Sequence, residues 1–78
     1  MIKFVLPEKI SEIIQNYSDK RSTQKGLFLT VEGNKYIAVD NETCDAWTEE
    51  FFDIQDAIDW LNGKFAMSEY YERVKANA

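Results

Sequence analysis

Eight carboxylates, Asp40, Glu42, Asp45, Glu49, Glu50, Asp53, Asp56 and Asp59, fall between residues 36 and 63, where there is no lysine or arginine. Paired carboxylates can exchange protons with a substrate, hold a cation, or present a negative surface to a basic partner. The first two uses find little support here. Glu49 and Glu50 are neighbours on an expected strand, so their side chains point to opposite faces and cannot share one substrate. The run from Asp40 to Phe51 resembles a calcium loop only superficially. Asp45 stands where that loop needs its glycine, and Phe51 where it needs a bidentate glutamate. The chain has no histidine and one cysteine, Cys44. Ser-His and Cys-His nucleophile systems, disulfides within the chain and zinc clusters are therefore excluded. The expectation is a protein that is not an enzyme, with no cofactor, no metal, and a thiol whose main chemistry is air oxidation between copies.

The acidic block dominates a net charge of −5 in 78 residues: residues 1–35 sum to +2, 36–63 to −8 and 64–78 to +1. Backbone contacts to nucleic acid need a concentrated basic footprint, so direct nucleic-acid binding is disfavoured. The basic loop 18–26 reads equally well as a solvated connector. No apolar run approaches the roughly 18 residues that cross a bilayer, and residues 1–6 lack the apolar core of a signal peptide. The reading is a cytoplasmic protein without a membrane partner. At this length the chain is a single domain, 1–78, with a small core, and composition is that of a folded protein.

Three segments repeat with helical spacing. Pro7 suits a first helical position, and Ile10, Ile13, Ile14 and Tyr17 follow on one stripe. Asp53 is placed to cap a second helix carrying Ile54, Ala57, Ile58 and Leu61, with Gly63 just past its end. Met67, Tyr70, Tyr71 and Val74 mark a third. Between the first two, 27–32 and 35–40 are rich in β-branched and aromatic residues and flank Gly33-Asn34, a hairpin signal. A two-residue turn sets Leu27, Leu29 and Val31 on the face of Tyr36, Ala38 and Asp40. A three-residue turn with a bulge sets them beside Ile37 and Val39. The second is preferred, because it collects five aliphatic side chains on one face. Residues 45–52 form the third strand, with Lys35 opposite Glu50 and Ala38 opposite Trp47 across a four-residue loop. Residues 2–6 fit a short edge strand or a lead-in to the first helix. The fold class expected is α+β: a helix, a three-stranded antiparallel β-meander, then two helices packed on the sheet.

In that register one sheet face carries Phe28, Thr30, Tyr36, Ala38, Trp47, Glu49 and Phe51. Either the third helix covers it, or its aromatics anchor a partner. The candidate interaction residues are Phe28, Tyr36, Trp47, Glu49, Glu50, Phe51, Asp56 and Asp59. Trp60, off the main stripe of its helix, suits packing across a homodimer, so monomer and homodimer both remain open.

The order helix, three strands, helix resembles the double-stranded-RNA-binding fold, but residues 53–61 are acidic where that family places lysines. The stretches 36–43, 46–51 and 57–61 together resemble small uncharacterised proteins from prophages and mobile elements of Gram-positive bacteria. That resemblance spans residues 36–61 and implies a phage-like gene cassette, in which short acidic proteins act by binding larger ones. The function expected is a small protein-interaction or regulatory module whose partner is another protein, a basic one if the acids make the contact. The alternative is an acidic nucleic-acid mimic that occupies a DNA- or RNA-binding protein.

Overall fold

Pro7 supplies a fixed φ and lacks an N–H that a first helical turn would leave unpaired, and the first helix begins there. The computed structural model describes residues 1–17 and 24–69. In it, β1 (Ile2–Phe4) leads into α1 (Pro7–Gln15), then β2 (Leu27–Glu32), β3 (Lys35–Asp40), β4 (Trp47–Phe51) and α2 (Ile54–Leu61). A further helical stretch opens at residue 67. Tyr70, Tyr71 and Val74 of the expected third helix, and residues 18–23 of the basic loop, lie outside the described residues.

The strands make one α+β sheet in the order β1-β2-β3-β4. It is a four-stranded mixed sheet rather than the three-stranded meander expected. Residues 2–4 pair in parallel with β2, Ile2 beside Leu27 and Phe4 beside Leu29, so α1 is the crossover of a β-α-β unit. Three residues are too few for alternation to separate a strand from a lead-in, and that is why the sequence left this choice open.

The hairpin takes the two-residue turn, not the three-residue one. Glu32 pairs with Lys35, Leu29 with Ala38 and Leu27 with Asp40. Gly33 has φ +65° while Asn34 stays out of the left-handed region, the pattern of a type II′ turn whose twist matches the strands. The preference for the bulged register assumed a sheet with one buried face. This sheet has two. One face puts Leu27, Leu29, Ala38 and Phe51 against Ala57 and Leu61 of α2 and against Met67. The other puts Phe28 and Val39 against Ile10 and Ile13 of α1. With a helix on each side, apolar residues are buried on both faces, and collecting aliphatics on one face no longer decides register.

β4 is shifted by two residues from its expected position. Trp47 lies opposite Asp40, Ala38 opposite Glu49 and Ile37 opposite Glu50, and the connecting loop is 41–46. A shift of two preserves which face each side chain uses, so Lys35 still reaches Glu50 diagonally, at 3.3 Å. Helix α1 buries Ile10 and Ile13, while Ile14 and Tyr17 are exposed. The ends of α2 are as expected: Asp53 accepts a hydrogen bond from the Gln55 N–H (2.7 Å). Beyond Leu61, the Gly63 and Lys64 N–H groups donate to the Trp60 and Asp59 carbonyls, a Schellman closure with Gly63 at φ +75°.

Candidate functional site

Alternation along β4 places Trp47, Glu49 and Phe51 on the α2 side. Ala57, fully buried, lets α2 approach β3 and β4 closely, and the next turn of that stripe brings Trp60 and Leu61 down beside them. An aromatic row results. Trp47 meets Trp60 edge to face (ring centroids 6.2 Å apart, 69°), Trp60 leans on Phe51 (5.8 Å), and Phe51 meets Phe65 (6.4 Å, 82°). The row runs from solvent to core. Phe51 is 1% exposed and Trp47 54%. The Trp47 indole Nε1–H donates to Glu49 Oε2 at 2.8 Å, so the outer ring is held at its nitrogen as well as by Trp60.

The loop before β4 fixes the strand's entry. Asn41 is fully buried. Its Nδ2 donates to the Gln24 carbonyl (2.7 Å), its Oδ1 accepts from the Ala46 N–H (3.0 Å), and its backbone exchanges hydrogen bonds with Gly26. Cys44 and Ala46 both take left-handed backbone, φ +61° and +47°, unusual for residues with a Cβ. Thr48 Oγ1 returns to the Ala46 carbonyl (2.9 Å), closing the turn into the strand.

The expected site residues separate in space. Trp47, Glu49 and Phe51 share the α2 face with half-buried Tyr36, which lies opposite Phe51. Phe28 does not join them. In the two-residue register it faces α1 and is 2% exposed, so it is core. Phe51 is core as well. Glu50 lies on the α1 face, where with Glu32, Asn34, Lys35 and Ile37 it lines an open groove of about 370 Å³. Asp59 sits 3.5 Å from Lys64 Nζ and accepts from Gln55 Nε2 (2.9 Å); Asp56 occupies the first turn of α2, where a negative charge offsets the helix dipole. The carboxylates are therefore spread over both faces and one helix. Among the described residues, no group of three or more His, Cys, Asp or Glu side chains could hold a metal ion. No described helix is long and apolar enough to cross a membrane.

Trp60 is the site residue that sequence reasoning misplaced. It packs within its own chain against Trp47 and Phe51, not on the far side of its helix. The spacing 57, 60, 61 is itself an i, i+3, i+4 stripe, and that signal could have found it. The scan against family models, the search of curated proteins and the search of solved structures return no match to this chain.

Proposed function

We propose that this chain is a small non-enzymatic interaction module, of the kind carried in phage-like cassettes, that docks another protein through the solvent end of its aromatic row. One observation carries the reading: Trp47 is more than half exposed yet held at Nε1 by Glu49 and at its ring by Trp60. A loose surface tryptophan must be ordered when a partner arrives, at roughly 0.5–1.5 kcal/mol per side chain; here that ordering is already in place. Tryptophan is also the residue most enriched among binding hot spots.

The mimic reading needs its carboxylates on one surface. Glu49 and Glu50 face opposite sides of the sheet, and Asp53 and Asp59 serve helix α2 itself, which favours the tryptophan as the anchor.

Affinity capture from an extract of the native host, with wild type and Trp47→Ala as parallel baits, tests the proposal. Far-UV circular dichroism should show both folded, since the ring lost is mostly outside the core. The captured partner should be lost from the variant, by about thirtyfold or more in affinity for an anchor of hot-spot strength. Equal capture by both baits rejects the reading. Binding that survives Trp47→Ala but collapses between about 0.1 and 1 M salt favours the acidic mimic instead.

A further inference from the structure

We propose that Asn62-Gly63 is a self-modification site: the closure at the end of α2 holds its deamidation in check, and the isoaspartyl product undoes that closure and releases the aromatic row. The chain has five asparagines, and Asn62 is the one followed by glycine. Glycine carries no Cβ, so its nitrogen is the least hindered main-chain nucleophile toward the side chain before it. Asn62 is exposed, so water reaches its amide. The reaction needs water and nothing else. The Gly63 nitrogen gives up its proton to water and attacks Asn62 Cγ; the Cγ–Nδ2 bond breaks, and ammonia leaves with a proton supplied by water. A second water opens the resulting succinimide at either carbonyl. The product is aspartate or, with the main chain rerouted through Cβ and Cγ, isoaspartate.

Two features of the fold oppose the first step. The Gly63 N–H donates to the Trp60 carbonyl at 3.0 Å, so the proton that must leave is held. Asn62 has ψ 3°, which sets the Gly63 nitrogen beside Asn62's own backbone nitrogen rather than beside Cβ, where the ring would close. The Lys64 N–H on the Asp59 carbonyl (2.9 Å) and Gly63 at φ +75° fix this arrangement from the other side. Reaction therefore waits for the last turn of α2 to open. The product then acts back on that turn. Isoaspartate lengthens the main chain by an atom before Gly63, so the Gly63 and Lys64 N–H groups no longer meet the Trp60 and Asp59 carbonyls. It also leaves a carboxylate at the negative end of the helix dipole. Trp60, in the turn that is released, is the ring that meets Trp47 and leans on Phe51. The inference goes beyond docking, because Trp47 is set loose whether or not a partner binds it.

The test begins with the full chain incubated at mildly alkaline pH in heavy-oxygen water, folded and in concentrated urea, followed by peptide mapping with mass spectrometry. Label should enter residue 62 in urea, and at least about tenfold more slowly in the folded chain. The slowing should match the protection of the Gly63 amide measured by hydrogen exchange. Asn62→Gln, which would have to close a larger ring, should stay unlabelled. Equal rates in the two states, no label at residue 62 in urea, or a slowing unrelated to Gly63 protection overturns the proposal. The isoaspartyl chain, separated by ion exchange, should lose the near-ultraviolet circular dichroism of its paired tryptophans and keep its far-ultraviolet spectrum. Asn62→Asp, with the ordinary main chain, should keep both. An unchanged near-ultraviolet signal, or loss of both spectra, overturns the release of the row.

Discussion

Two buried polar residues on the sheet and its loop have opposite standing. Asn41 satisfies backbone groups from two segments that have no strand ladder to join, so its amide takes the place of secondary structure in the 41–46 loop. Thr30 is 1% exposed, and its Oγ1 has no hydrogen-bond partner among the described residues. A buried hydroxyl left unpaired costs about 1–3 kcal/mol, and a methyl group of similar shape carries no such penalty. Thr30→Val is therefore expected to raise stability by about 1 kcal/mol, read as a higher urea midpoint at constant m. A lower midpoint would show that the hydroxyl has a partner after all. At this scale the sequence was partly legible. The residue types that mark a turn were visible at Asp40-Asn41, but that one of them would be the buried tie between two loops depends on Gln24 and Gly26 lying alongside, which no local pattern encodes.

The elements were legible where local chemistry sets them. Pro7, Asp53 and Gly63 each have a backbone reason to stand at a helix end, and each helix end is where that reason puts it. Gly33-Asn34 marked the hairpin but not its register, because apolar residues of these strands are buried on both faces. The turn itself therefore pins the register. A Cβ at Gly33 would meet nothing within 4 Å, so Gly33→Ala should cost only its left-handed φ, about 1 kcal/mol or somewhat more, and Gly33→Asn less. Thermal melts of the two variants measure this, 1 kcal/mol corresponding to about 4–8 °C for a domain of this size. No change for alanine would argue against the two-residue turn. The short β1 and the inward side of Trp60 stayed hidden for a different reason: both are decided by what packs against them, β2 in one case and β4 in the other.

Among the described residues, the molecule is one sheet with a small core on each face. Neither is large enough to stand alone, so the two should unfold together. Ile13→Val, on the α1 side, is expected to lower stability by about 1 kcal/mol. Both tryptophans lie on the α2 side, so their fluorescence reports the core that was not altered. It should shift by the same amount as far-UV circular dichroism; an unmoved fluorescence midpoint would show two separately melting halves. The loop that enters β4 has a consequence of a practical kind. The chain's single thiol, Cys44, sits at φ +61°, where glycine is at least as comfortable. Relief of roughly 1 kcal/mol of backbone strain and the roughly 0.5–1 kcal/mol that glycine adds to unfolded-chain entropy nearly cancel. The one group able to cross-link copies in air is thus lodged at a replaceable position, and Cys44→Gly yields a redox-inert form that leaves Asn41, Trp47 and β4 in place.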